Sequence, residues 1–353
     1  MKKIIIYTLL TSVIFLGGCV VSVKTTPHQT DGGLFISFDK GENWEQRTII
    51  YQLGQAAENF NTVDVVSMAV DPGDNKAIYV GTVSKGIYYT YNGSEGWHQT
   101  LLGNGKINDI AVSSQETCTI YAAIGNRVYK SSDCNRHWDY KLIDTRVDPN
   151  NIINTLAVDP FNTSIIYAGT SGEALYRSDD AGNSWRAIKF FNNKVIKILV
   201  NSKKPGVIYV ATDNDGIYKT ENEGIDWRQL ITSELEESFK NILTYRDLII
   251  DPTQEDGIIY ASSYGIFRSV DGGNNWQELK LLTPPNTATI YSLAVNPFDE
   301  KEIYYGVSST LYRSQDGGEN WITKNLPTSR APIFLFVDSV NPNIVYIGAK
   351  KVK

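Results

Sequence analysis

Three aspartates and a few cations are the side chains of this sequence best suited to chemistry on a ligand. Asp64, Asp109 and Asp247 stand at or inside strongly apolar runs. Two carboxylates held at glycosidase separation would supply an acid and its partner. Lys197 stands in the same kind of run, and neighbouring Arg246 and Lys194 add positive charge. Arg177, Arg268 and Arg313 could clamp a substrate carboxylate, but they occupy one recurring position where Lys130 and Lys219 also stand, so they belong to a repeat. Cys118 and Cys134 form either a disulfide, worth about 3 kcal/mol for a loop of this length, or two free thiols. His28, His98 and His137 have no metal-ligand spacing. Asp213-Asn214-Asp215-Gly216 opens like a calcium loop but lacks the later ligands and reads as a turn. No catalytic set, metal or cofactor is read from these residues.

A repeat decides which of them can meet. Seven octapeptides of the type S-x-D-x-G-x-x-W begin at Ser37, Thr90, Ser131, Ser178, Thr220, Ser269 and Ser314, at intervals of 41 to 53 residues, and use all seven tryptophans. An aromatic always stands two residues before the first position, from Phe35 to Tyr312, and an I-Y or V-Y pair lies further upstream, ending in Tyr79, Tyr121, Tyr167, Tyr209, Tyr260, Tyr304 and Tyr346. Ahead of that comes an aliphatic run that usually closes on Asp-Pro or Asn-Pro. One period therefore reads as four short strands: A the aliphatic run, B the I-Y pair, C the aromatic segment, D beginning at the tryptophan. A period of this length built from strands predicts an all-β fold, a single seven-bladed β-propeller of four-stranded antiparallel blades over residues 33–353. The last A and B segments have no C or D after them, and the first C and D have no A or B before them. The two ends should complete one composite blade and close the ring.

Aligning the A strands on their closing turns gives equivalent positions near the channel mouth: Ser67, Asp109, Thr155, Lys197, Asp247, Ser292 and Phe334. Polar residues inside apolar strands predict a wet central channel, either merely solvated or holding a ligand. Asp109, Lys197, Arg246 and Asp247, with Phe239 above them, are the candidate binding face. That face is opposite the octapeptides and carries two long insertions, residues 48–62 and 231–244, where function on a repetitive scaffold is usually placed. In the second, Ser233-Glu234-Leu235-Glu236 matches a capping box and Leu235, Phe239, Ile242 and Leu243 recur at helical spacing. A short amphipathic helix is expected, sealing the ring or docking a partner. Phe60, Tyr245 and Tyr291 are the aromatics available to stack on sugar rings, or to serve as strand and core residues.

Within the octapeptide, the first Ser or Thr and the third-position Asp can accept bonds from turn amides, the fifth-position Gly supplies positive φ, and the tryptophan packs back on the blade. Asp39, Asp133, Asp180, Asp271 and Asp316 hold the third position, with Trp44, Trp138, Trp185, Trp276 and Trp321 closing those copies. Asn92 and Asn222 replace the Asp elsewhere. This motif is similar to the Asp-box, or BNR repeat, and its phrasing most resembles the photosystem II assembly factor-like and sortilin-type propellers. The resemblance implies fold strongly and a non-enzymatic, protein-binding or assembly role. The alternative is a glycan-binding or glycan-hydrolysing protein. Sialidases carry an arginine-isoleucine-proline motif that is missing from this sequence, and xyloglucanases resemble two such rings in tandem where this chain has one.

The full chain carries a net charge of -6, with no basic stripe for nucleic acid. Lys2 and Lys3 precede an apolar stretch from Ile4 to Leu16 and then Leu16-Gly17-Gly18-Cys19. Two cations before a short apolar core predict a secretory signal over residues 1–18. The L-G-G-C ending resembles a bacterial lipobox, which implies cleavage and lipidation at Cys19; an ordinary signal with a chance cysteine is the alternative. Residues 19–32 read as a tether that could extend roughly 45 Å. Val20 after the cysteine would, by resemblance, allow passage to the outer membrane of a Gram-negative cell. The expectation is a monomer touching membrane only through its lipid, with an envelope or membrane protein, or a glycan, as partner.

Overall fold

Seven four-stranded antiparallel sheets, six of them each built from one contiguous period of sequence, form the ring, and a two-stranded sheet of Ile49–Ile50 with Glu58–Asn59 lies in the first long insertion. The computed structural model describes residues 30–51, 58–143 and 151–352. The signal segment, Cys19 and nearly all of the tether lie outside the described residues. Blade 1 is composite, with strand A at Ala331–Val337, B at Val345–Lys350, C at Gly33–Ser37 and D at Glu45–Gln46. Strand C pairs with B from Gly33↔Ala349 to Ser37↔Val345, so the two ends of the chain are joined by a sheet. Strands A of blades 2 to 7 are Val65–Asp71, Asp109–Val112, Ile153–Val158, Val195–Val200, Tyr245–Ile250 and Ile290–Asn296. Strand A of each blade touches strand A of the next, which places these strands around the axis.

The I-Y pairs are the heart of each blade-to-blade contact. Tyr79, Tyr121, Tyr167, Tyr209, Tyr260, Tyr304 and Tyr346 are all buried. The recurring strand C cation stands directly across from the tyrosine, as in Tyr121↔Lys130, Tyr167↔Arg177, Tyr209↔Lys219 and Tyr304↔Arg313. Each of these cations lies 5.5 to 5.8 Å from the ring centroid, close enough for a cation–π attraction. Two of these cations reach the octapeptide turn of the following blade: Lys130 Nζ donates to Ala181 O and Arg177 Nη1 to Glu223 O. Arg177 is thus a strut between blades, and Arg313 holds Glu302 of its own blade; neither is part of a substrate clamp.

The octapeptide turns behave as their composition requires. In the first copy Ser37 Oγ donates to Asp39 Oδ1 at 2.7 Å and accepts from Gly41 N at 2.7 Å, while Asn43 N and Nδ2 donate to the two Asp39 oxygens at 2.8 and 2.7 Å. Gly41 has φ +87, a conformation that a side chain would strain. These donors hold the carboxyls of Asp39, Asp133, Asp180, Asp271 and Asp316 down at about 2. A carboxyl with a depressed folded pKa contributes stability that is complete above its unfolded value and is lost as pH falls toward the folded one. Resistance to urea is therefore expected to drop between about pH 4 and pH 2 as all five boxes protonate. Tryptophan fluorescence melts across that interval check it; a midpoint unchanged down to the acid end would contradict the role given to the boxes.

Two polar clusters fasten the composite blade to its neighbours. On the face bearing the long insertions, buried Arg330 donates from Nε to Asp31 Oδ1 at 3.0 Å and from Nη1 to Asp64 Oδ1 at 2.7 Å. Asp64 also accepts Lys351 N at 2.8 Å, and Thr328 Oγ1 donates to Asp31 O at 2.6 Å. On the octapeptide face Lys40 pairs with Glu302 at 2.9 Å, and buried Arg313 and Asn296 bind the same carboxylate. That Glu302 keeps a lowered pKa although burial acts to raise it, because Lys40, Asn296 and Arg313 outweigh desolvation.

Candidate functional site

The central lumen has a volume of about 560 Å³ and is lined by strand A residues from every blade. Register shifts interrupt A–B pairing just before the aligned position in blades 1, 2, 4, 5, 6 and 7. The seven aligned residues then pair with small partners: Ser67↔Gly81, Asp109↔Ala123, Thr155↔Gly169, Lys197↔Ala211, Asp247↔Ala261, Ser292↔Gly306 and Phe334↔Gly348. Small residues are needed there because the next blade's first strand closes over them; a Cβ on Gly169 would lie 2.2 Å from Val195 Cγ1.

Five polar members of this ring tie their blade to the next, Ser67 and Ser292 by donating to Ile107 O and Pro332 O. Asp109 Oδ2 accepts Leu156 N at 2.8 Å, Thr155 Oγ1 accepts Ile198 N at 3.3 Å, and Asp247 Oδ2 accepts Leu293 N at 2.8 Å. In each case the donor is the residue after the aligned position of the following blade. The other oxygens of the two carboxylates accept their own neighbours' amides, Ile110 N and Leu248 N, both at 2.9 Å. Asn108 and Asn154, one position earlier, donate to Ile153 O and Val195 O of the following blade at 2.9 Å. Burial raises the carboxyl pKa of Asp109 and Asp247, opposed by these amides and by the charge of Lys197. Both side chains stay half-buried at the edge of the lumen, so water there tempers the effect of their depth.

Lys197 and Arg246 occupy the same two rings without that function. A lysine cannot accept an amide, and Lys197 acts on Asp109 and Asp247 only through its charge. Arg246 Nε is buried with no hydrogen-bond partner among the described residues. Lys350 adds a third cation to the lining. The wall contributed by blades 1 and 2 is apolar, made by Ile333, Phe334, Phe336, Val66 and Met68.

Several residues named from sequence lie elsewhere. Asp64 is held by Arg330 in the closure cluster and does not line the lumen. Phe60 is fully buried, stacked on Tyr88 at 4.2 Å and edge-on to Trp97 at 5.3 Å, so it cannot stack on a ligand. Tyr245 and Tyr291 do line the lumen, with Tyr245 OH directed at Asp247 Oδ1 at 3.3 Å. The helix, α1 (Ser233–Ser238), is shorter than its spacing predicts. Its N-cap is Thr232 and no side-chain cap bond forms, so the expected capping box beginning at Ser233 is not made. Helical geometry ends at Phe239 because the apolar residues that follow are drawn into the core. Phe239 packs edge-on against Tyr264 and Phe267, and Ile242 is buried with its carbonyl accepting Tyr260 OH at 2.7 Å. The exposed side of the segment is polar: Glu234, Glu237 and Lys240.

Cys118 and Cys134, in the A–B and C–D turns of blade 3, are joined as a disulfide with Cα atoms 4.3 Å apart. Sequence reasoning missed Arg330 and Asp31 altogether, since their 299-residue separation leaves no local signal.

Proteins of known structure share this fold. The family model described as "Sortilin, neurotensin receptor 3" (Sortilin-Vps10) matches residues 173–265. A xyloglucanase of Hypocrea jecorina (strain QM6a) is 31% identical over 111 residues, 27% of this chain and 13% of that protein. In structure, the GH74 enzyme of Niastella koreensis matches with a TM-score of 0.66 at 16% identity, over 86% of this chain and 53% of the enzyme. The chain thus spans about half the length of that enzyme. YCF48 bound to D1 peptide matches with a TM-score of 0.61 at 14% identity, over 82% of this chain and 94% of YCF48. The hydrogen-bonded boxes and the ring shared with these proteins make the chain a seven-bladed Asp-box β-propeller.

Proposed function

We propose that this chain is a binding propeller of the cell envelope, tethered to a bacterial membrane through Cys19, whose lumen mouth and long insertions receive a segment of another protein. The observation that carries this reading is the commitment of Asp109 and Asp247 to main-chain amides, two each. Carboxylates spent on holding blades together are poorly placed to exchange protons with a substrate. YCF48, a ring of similar fold and extent, has been seen with a D1 peptide, which supports a propeller of this kind as a receiver of polypeptide. The described chain begins beside Arg330, on the face of the long insertions. A tether from Cys19 would approach that face and bring it near the membrane.

A second reading, glycan hydrolysis, is favoured by the match to the xyloglucanase. One experiment separates the two. Membranes carrying the full-length protein are crosslinked mildly, and the captured proteins are compared among wild type, Cys19→Ala and the surface variant Glu234→Lys/Glu237→Lys, which spares the buried side of the 231–244 segment. A single stoichiometric envelope protein, diminished in both variants, is the expected result. Xyloglucan turnover by the purified protein, abolished by Asp109→Ala or Asp247→Ala, would overturn the reading.

A further inference from the structure

Side-chain bonds join neighbouring blades at the lumen. At the aligned position Asp109, Thr155 and Asp247 accept an amide from the next blade, while Ser67 and Ser292 donate to its carbonyls. One residue earlier Asn108 and Asn154 donate to the next blade's carbonyls. Lys197 and Arg246, polar residues at these same two levels, make no such bond. The scaffold closes without using either cation, and burying an arginine nitrogen without an acceptor is unfavourable.

We propose that the lumen is a binding site for a monocarboxylate carried on an apolar body, with the Arg246 guanidinium as its main contact and Lys197 and Lys350 adding positive potential. The charge of the lining selects a single negative charge. Lys197, Arg246 and Lys350 face Asp109 and Asp247, three cations against two carboxylates, so one unit is left to balance. A dianion such as phosphate would meet repulsion from both aspartates. A planar guanidinium suits the two oxygens of a carboxylate. The apolar body is called for by the wall of Val66, Met68, Ile333, Phe334 and Phe336. A volume of about 560 Å³ suits a small organic ligand or the end of a peptide. The site belongs to the lumen itself and stands whether or not its mouth receives a protein.

Calorimetric titration of the full-length protein with 4-phenylbutyrate and with its neutral amide, 4-phenylbutanamide, tests this directly. Saturable binding of the acid is expected, weakened about tenfold or more in the amide and by Arg246→Gln, with a smaller loss for Lys197→Met. Thermal unfolding of the variants checks that the ring remains intact; should Arg246→Gln fail to fold, the acid-to-amide ratio in wild type still decides. Equal affinity for acid and amide, unchanged binding in a folded Arg246→Gln protein, or no saturable binding of the acid would each overturn the proposal. A short acetylated peptide ending in a phenylalanine carboxylate, compared with its C-terminal amide, identifies the source. Tighter binding of the peptide acid than of 4-phenylbutyrate assigns the site to a polypeptide carboxylate, and the reverse order assigns it to a free acid.

Discussion

Arg330→Ala is expected to remove about 3–5 kcal/mol of stability, the cost of leaving a buried ion-pair partner uncompensated. Arg330 and Asp31 are 4% and 10% exposed at the side chain, so solvent screens this pair little. Asp31 keeps a lowered pKa although burial is the largest influence on it and acts to raise it; hydrogen bonds from Ser329 and Arg330 and the Arg330 charge together overcome that. Without the guanidinium the carboxylate stays buried, and Asp64 loses its tie to the same cluster. Urea unfolding followed by tryptophan fluorescence measures the loss. Hydrogen exchange should speed up first in Gly33–Ser37 and Val345–Lys350, the strands whose pairing the cluster guards. The double variant Arg330→Met/Asp31→Asn should recover part of the loss, since it removes both charges. A stability within about 0.5 kcal/mol of wild type for Arg330→Ala would show that the closure does not depend on this cluster.

Breaking the Cys118–Cys134 disulfide is expected to cost about 3 kcal/mol, in line with a separation of 16 residues. In the other blades a main-chain bond ties the box turn to the A–B turn, at 2.8 to 3.1 Å, as in Gly272 N to Asp256 O and Glu223 N to Gly206 O. Blade 3 makes the equivalent bond between the cysteines themselves, Cys134 N to Cys118 O, and it is longer, at 3.4 Å. Its box also has Asn135 where glycine is usual, with φ 70, and both cysteines have positive φ. The covalent link thus reinforces the blade in which this main-chain tie is longest. Comparing unfolding of wild type with Cys118→Ala/Cys134→Ala, in the presence and absence of reductant, gives the value. Two thiols titrating in native protein taken from cells without reductant would rule the bond out.

Much of the fold was legible because each box advertises its own geometry locally. Ser37, Asp39, Gly41 and Trp44 lie within eight residues, and their bonds are made among themselves and their immediate neighbours. The composite blade followed from counting halves. The ring of aligned strand A residues was also legible as a set of positions, from Ser67 to Phe334. Its role was not, because the amide that Asp109 holds lies 47 residues away, in another blade, where nothing near Leu156 marks it as a donor. The helix shows the opposite failure. Leu235, Phe239, Ile242 and Leu243 have helical spacing, but burial of Ile242 and the Phe239 contacts with Tyr264 and Phe267 bend the chain out of helix after one and a half turns. Tertiary packing overrode a correct local pattern.

The interlocking of Gly33–Ser37 with Val345–Lys350 has a consequence for the order of events during synthesis. Six blades can assemble as their strands leave the ribosome, each from contiguous chain. The strand made before all of them has only the two-residue strand Glu45–Gln46 beside it, and its other edge stays open until Val345–Lys350 arrives after all of them. Through that interval the molecule is an open arc with two unsatisfied edges, the species most exposed to mispairing with other chains. The final step is a loop closure spanning the whole ring, entropically slow but decisive, because it is the moment at which both edges disappear together.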